Sequence, residues 1–150
     1  MKNDNKLYGM PNTGCMIGTA YQTLISKLSE TLSAYGLNLT PPEYMLLRAL
    51  YTCEGMQQCE LATMIGKDKG AVCRCVAAMV KKGLVSTESV SHKCLRVYVT
   101  PLGRDIEPKV MAVAKERHEA LTSLLTPEEM TTFDIVLKKI INNSNQNKKG

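Results

Sequence analysis

The stretch GKDKGAVCRC, at residues 66–75, holds two lysines, an arginine and two cysteines. Lysine and arginine side chains bind phosphate, and the arginine guanidinium can also donate two hydrogen bonds to the edge of a guanine. Thiols instead bind metal ions or react with oxidants. Cys73 and Cys75 are two positions apart, so on a helix they point to different sides and cannot bridge one another. The stretch is therefore compatible with two kinds of site, one that binds an anionic polymer and one in which thiols bind a metal ion or react with an oxidant.

The sequence offers little support for metal or covalent chemistry. It contains six cysteines and two histidines but no paired C-x-x-C motifs, and His92 with Cys94 is a lone ligand pair. No motif joins a nucleophile to a partnered base. We therefore expect no catalytic residue, no metal and no cofactor, and we predict that the chain is not an enzyme. A cysteine-based redox or metal-binding protein is kept as the alternative.

The positive charge is confined to one third of the chain. The window from Cys59 to Arg104 holds eight basic and three acidic residues, whereas the rest of the chain holds eleven of each. Such a local field is typical of a module that binds a polyanion. Charge alone leaves open a solvated charged face.

The hydrophobic pattern predicts the helices that must position these residues. A helix is expected from about 13 to 35, and TPPE at 40–43 is a strong helix start with a capping box. A short helix, QCELATMI, should end at Gly66. Asp68 can cap the next helix, which should run to Lys82. Its buried stripe is expected to consist of Val72, Val76, Met79 and Val80.

The pattern then changes to a period of two. LVSTE and CLRVYV read as the strands of a hairpin, and a long helix should follow from TPLG at 100–103. TPEE at 126–129 should open the last helix, and the tail from Asn142 is predicted to be disordered. The predicted fold is mainly α with a two-stranded β-hairpin wing. Helix, short helix, turn, basic helix and hairpin form a winged helix-turn-helix, whose second helix enters a DNA major groove.

Several segments resemble those of the MarR (multiple antibiotic resistance regulator) family. They are LTPPEYMLLRAL, CELATMIGKDKGAVCRCVAAMVKKGLV, RVYVTPLG and LLTPEEM. The resemblance implies a homodimer that binds a pseudo-palindromic operator in double-stranded DNA and represses transcription. It implies a single domain over 1–150, with dimerisation helices at 13–38 and 101–142 and a winged-helix module at 40–100.

The recognition helix and the wing supply the predicted DNA contacts. Arg74 has the reach to read guanine, and the small side chains near it let the backbone approach the bases. Near the wing tip, Ser91 and Lys93 stand where the family pattern usually has an acidic residue and an arginine. The residues that we predict to bind DNA are Lys67, Lys69, Gly70, Ala71, Cys73, Arg74, Lys93 and Arg96.

The resemblance also includes a branch that senses organic peroxides through a cysteine at the start of its first helix. Cys15 falls near that position and is the candidate redox residue, against the simpler interpretation of a thiol without function. A small-molecule or oxidant effector that releases the DNA is expected. No stretch is apolar enough for a membrane span or a secretory signal, so we predict a cytoplasmic protein with no membrane partner.

Overall fold

The computed structural model describes residues 6–7, 10–92 and 94–146. Its chain divides into two compact units, Met1–Val113 and Ala114–Gly150. In chain order the elements are β1 (Lys6–Leu7), β2 (Met10–Pro11), α1 (Thr13–Ala34), α2 (Pro41–Thr52), β3 (Met56–Gln57), α3 (Gln58–Ile65), α4 (Lys69–Lys81), β4 (Val85–Ser91), β5 (Cys94–Val99), α5 (Pro101–Asp105), α6 (Glu107–Thr122) and α7 (Pro127–Gln146). This order confirms the predicted winged helix-turn-helix.

Side chains near the helix starts satisfy backbone groups that would otherwise lack partners. The Thr40 hydroxyl accepts a hydrogen bond from the Glu43 amide at the start of α2. At the start of α3, the Gln57 amide donates to Glu60 Oε2 at 2.8 Å. These contacts are local in sequence, which is why the starts of both helices could be predicted.

The turn between α3 and α4 sets the helix-turn-helix angle. Gly66 ends α3 with φ of 66°, in the left-handed region that glycine adopts at little cost. Asp68 Oδ1 then accepts from the Ala71 amide at 2.8 Å and starts α4. The core formed by α2, α3 and α4 includes Leu46, Leu47, Leu50, Leu61, Val72, Val76 and Met79.

One residue of the predicted buried stripe on α4 lies outside the core. Val80 is 43% exposed, whereas Met79 is fully buried. Successive residues of an α-helix are rotated by about 100°, so Val80 is carried past the edge of the face that packs on α2 and α3. The prediction for Val80 was wrong for this reason.

The wing is part of a three-stranded antiparallel sheet. β4 and β5 pair from Val85 opposite Val99 to Ser91 opposite Cys94, with an irregularity between Ser89 and Ser91. The two-residue strand β3 pairs with the other edge of β5 and gives the order β3-β5-β4. A strand this short has no periodicity of its own, so the sequence predicted the hairpin alone.

The segment after the wing contains two helices where one was predicted. α5 ends at Asp105 and α6 begins at Glu107. Pro108 is the cause, because it has no N–H to donate to the carbonyl of Arg104. Gly103 on α5 is buried, and a methyl group there would overlap the carbonyl oxygen of Leu84. Glycine at this position lets α5 pack closely on the start of the wing.

The second unit contains the end of α6 and the whole of α7. The Thr126 amide donates to Glu129 Oε2 at 2.9 Å, and the Glu129 amide donates to Thr126 Oγ1 at 3.2 Å. This capping box opens α7 as predicted. The helix continues to Gln146, so the prediction of disorder from Asn142 was wrong as far as that residue, and residues 147–150 lie outside the described part. None of the helices in the described ranges combines the length and hydropathy that a membrane span requires.

Candidate nucleic-acid interface

The first turns of α4 present cations beside unpaired helix amides. Lys69 is the first residue of α4, and both Lys69 and Arg74 are exposed. The first amides of a helix have no partner within the helix, and the helix dipole there favours anions. Asp68 Oδ1 accepts a hydrogen bond from one of these amides, that of Ala71. The surface formed by the start of α4 therefore suits a phosphate or another anion.

Gly70 gives the Arg74 side chain room to lie along this turn. A Cβ at Gly70 would stand 3.4 Å from Arg74 Nη1 and 3.2 Å from Asp68 Oδ1. The guanidinium therefore passes close over the first turn of α4. A larger residue at position 70 would displace either the arginine or the capping carboxylate.

The fold brings some of the predicted contacts together with the hairpin. Lys69, Gly70 and Cys73 line a groove of about 550 Å³. The groove is also lined by residues of the hairpin and of the start of α3, namely Ser89, Ser91, His92, Cys94, Leu95, Gln57, Gln58 and Cys59. Recognition helix and wing thus share one concave surface. Lys67 and Ala71 are half-buried and do not line this groove. Lys93 lies outside the described residues, so its predicted contact stays a prediction.

Arg96 has a structural partner that the sequence did not reveal. Its Nη1 donates to the carbonyl oxygen of Gly55 at 2.9 Å, and its side chain is half-buried. Arg96 on β5 pairs with Glu88 on the neighbouring strand β4. The guanidinium therefore ties β5 to the turn before β3. A DNA contact by Arg96 stays a prediction.

The far end of α4 is fixed by a buried carboxylate. Lys82 Nζ donates to Glu43 Oε2 at 2.7 Å, to Glu43 Oε1 at 3.1 Å and to the Asn38 carbonyl at 2.8 Å. Glu43 is 4% exposed. Cys75 packs nearby, where burial, with the Glu43 charge as a smaller cause, raises the pKa of its thiol to about 11. The sequence predicted that Glu43 would complete a capping box, but its carboxylate instead accepts from the Thr40 hydroxyl at 2.9 Å and pairs with Lys82, 39 positions away.

A second network fixes the base of the wing. Glu54 Oε1 accepts from the Val99 amide at 3.1 Å, and Glu54 Oε2 accepts from Arg104 Nη2 at 2.8 Å. Arg104 Nη1 also donates to Glu107 Oε2 at 3.1 Å. The Tyr51 hydroxyl donates to the Gly103 carbonyl at 2.7 Å, beneath the Arg104 guanidinium. These contacts join the end of α2, the last strand and α5, and no local signal predicted them.

All six cysteines are free thiols. Cys15 is exposed in the first turn of α1, and its redox role stays a prediction. Among the described residues, no group of three or more histidine, cysteine or acidic side chains is arranged to hold a metal ion.

The helix pair α3–α4, followed by a wing, defines the winged helix-turn-helix class of DNA-binding proteins. Residues 39–89, which span α2 to most of β4, match the model of the MarR family. No curated protein matches the chain.

Solved structures extend the match over nearly the whole chain. The oxidised form of MarR from E. coli is 27% identical with a TM-score of 0.69, covering 91% of this chain and 97% of that one. A mutant E. coli MarR complexed with operator DNA is 24% identical with a TM-score of 0.77, covering 93% and 99%. BpsR of Bordetella bronchiseptica, solved to explain how 6-hydroxynicotinic acid regulates its DNA binding, is 17% identical with a TM-score of 0.78, covering 95% and 98%. The winged-helix segment of this chain thus matches the MarR family model, and its fold is that of MarR-family transcriptional regulators, which confirms the predicted resemblance.

Proposed function

We propose that the protein is a homodimeric repressor that binds a pseudo-palindromic operator and releases it when an effector binds. The observation that carries the proposal is the exposed start of α4, where Lys69 and Arg74 lie beside free helix amides and Lys69 lines a groove shared with the wing. This arrangement lets α4 enter a major groove, with Arg74 at the base edges and the ammonium of Lys69 at the backbone.

The homodimer is proposed because α1 and α7 each expose apolar side chains. On α7 the exposed side chains include Phe133, Val136, Leu137 and Ile140, which recur at spacings of three and four and so share one face. On α1 the apolar residues Ile17, Tyr21 and Leu24 are also exposed. Faces of this kind are expected to be covered by a second copy of the chain. A symmetric pair would present two copies of α4 to successive major grooves, about 34 Å apart.

The effector is proposed to occupy a cavity between the α1–α2 connection and α5. Its volume is about 340 Å³, and it is lined by Gly36, Leu37, Asn38, Leu39, Lys82, Leu84, Leu102 and Ile106. The lining is largely apolar and suits a small apolar molecule. Because Lys82 follows directly on the recognition helix, a ligand here would act on the end of α4. The oxidant alternative is a reaction of Cys15.

A gel-shift titration against the protein's own promoter region tests the proposal. A repressor should give one cooperative complex on a duplex with two inverted half-sites, and a weaker complex when the spacing between them is changed by half a helical turn. Equal binding to both duplexes would contradict a symmetric pair of reading heads.

A further inference from the structure

The groove between α4 and the hairpin is also a cluster of thiols. Cys59 in the first turn of α3, Cys73 on α4 and Cys94 at the start of β5 all line it. Lys69 lines the same groove, one helical turn before Cys73. Three nucleophilic side chains from distant parts of the sequence are thus gathered beside an ammonium group, in a space of about 550 Å³.

The accessibility of these thiols differs from that of their neighbour Cys75. Cys59 and Cys73 are exposed, and Cys94 is half-buried. Cys75 turns toward the core, where burial raises the pKa of its thiol to about 11 and keeps it protonated. A protonated thiol is a poor nucleophile. Cys73 and Cys75 can therefore be compared directly, because the Cys73 thiol is accessible from the groove and the Cys75 thiol is not.

We propose that this groove is a covalent modification site, at which Cys73 forms a mixed disulfide with a small anionic disulfide. The positive charge of Lys69 attracts the anionic reagent, and the exposed start of α4 adds the field of its free amides. The volume of the groove accommodates a tripeptide-sized adduct. The effect of the adduct on DNA binding rests on the proposed function, because the adduct would occupy the surface where the operator is expected to bind.

The reaction is thiol–disulfide exchange. The Cys73 thiol loses its proton, and its sulfur attacks one sulfur of the reagent. A bond forms between Sγ and that sulfur while the sulfur–sulfur bond of the reagent breaks. The departing thiolate takes up the proton, so one thiol is oxidised and one half of the reagent is reduced. A reducing thiol reverses the reaction and restores the groove.

The first experiment measures where the reduced, full-length protein reacts. Oxidised glutathione serves as the anionic reagent and cystamine as the cationic one, with modification at each cysteine followed by peptide mass spectrometry. Cys73 should react fastest with oxidised glutathione, ahead of the exposed Cys15 and Cys53, which lie outside the groove. Lys69→Gln should slow that reaction about threefold at low salt and leave the reaction with cystamine no slower. Equal rates at Cys15, Cys53 and Cys73, or no effect of Lys69→Gln, would overturn the site.

The second experiment measures DNA binding after treatment with oxidised glutathione. The wild-type protein should lose affinity at least about tenfold and regain it with dithiothreitol. Cys73→Ser should keep its affinity through the treatment, whereas Cys75→Ser should lose it as the wild type does. A Cys73 adduct that binds DNA unchanged would refute the regulatory part. Reduced protein that binds no promoter DNA would count against the proposed function, while the reaction rates would still decide the modification site.

Discussion

Lys82 Nζ lies 2.7 Å from Glu43 Oε2, so the residue that ends the recognition helix is bound to the first turn of α2. The Glu43 side chain is only 5% exposed, and the Lys82 side chain is 28% exposed. The ammonium also reaches the carbonyl of Asn38, in the connection between α1 and α2. One cation therefore joins α4 to both α2 and the segment that leads from α1.

Replacing Lys82 with methionine should destabilise the fold strongly. The change keeps most of the aliphatic stem but leaves a buried carboxylate without its partner, at a cost of about 3 kcal/mol. The double variant Lys82→Met/Glu43→Gln removes the charge as well and should recover at least about 1 kcal/mol of that loss. Urea unfolding followed by circular dichroism gives both free energies.

Lys81→Met is the matched control, because Lys81 is the exposed neighbour of Lys82. Its free energy of unfolding should stay within about 0.5 kcal/mol of the wild-type value. Equal effects of the two substitutions would show that the ion pair contributes nothing specific.

Replacing Arg74 with alanine should reduce operator binding more than binding to unrelated DNA. Loss of a bidentate guanine contact costs about 1–3 kcal/mol, or roughly 5- to 150-fold in affinity. Arg74→Lys keeps the charge but loses the planar fork, so it should lose most of the discrimination as well. Fluorescence anisotropy with operator and scrambled duplexes at one salt concentration measures both affinities.

Lys109→Ala removes one exposed positive charge from α6 and serves as the control for net charge. It should lower the two affinities equally and only slightly. If Arg74→Ala behaved in the same way, Arg74 would be a contact to the DNA backbone and not a reader of bases.

The parts of this fold that were predictable from sequence are those set by neighbouring residues. α3 has the bounds that were predicted, because Glu60 and Gly66 act within one turn of its ends. Pairings across the fold had no such signal. The partner of Glu43, the third strand β3 and the hydrogen bond from Arg96 to Gly55 depend on tertiary packing. The groove that gathers three cysteines exists only after the hairpin has folded beside α4.

Placing a charge on the apolar face of α7 should prevent dimer formation. Leu137→Glu puts a carboxylate among Phe133, Val136 and Ile140, where a partner subunit would have to bury it. Size-exclusion chromatography with light scattering should show a dimer for the wild type and a monomer for the variant. Thr131→Glu, exposed on the opposite side of the same helix, is the control and should stay dimeric. A wild-type protein that is monomeric at micromolar concentration would contradict the proposed homodimer.

Tyr51 should make the stability of the fold fall in alkaline solution. Burial, with the Glu107 carboxylate as the second cause, raises the pKa of its hydroxyl from 10.0 to about 12, and Arg104 offsets only part of this. A raised pKa means that the folded state holds the proton more tightly than the unfolded state. The contribution of Tyr51 to the free energy of unfolding is therefore complete below pH 10. It declines as the unfolded chain deprotonates, and it is lost as the pH passes about 12.

Tyr51→Phe isolates this effect. Without the hydroxyl, the hydrogen bond to the Gly103 carbonyl is lost, which should lower the free energy of unfolding by about 1 kcal/mol at neutral pH. The variant has no proton to release at this position, so its stability should fall less steeply between pH 10 and 12. Urea unfolding at a series of pH values should show the gap between wild type and variant narrowing across this window. A gap that stays constant would mean that the Tyr51 hydroxyl titrates alike in the folded and unfolded chains.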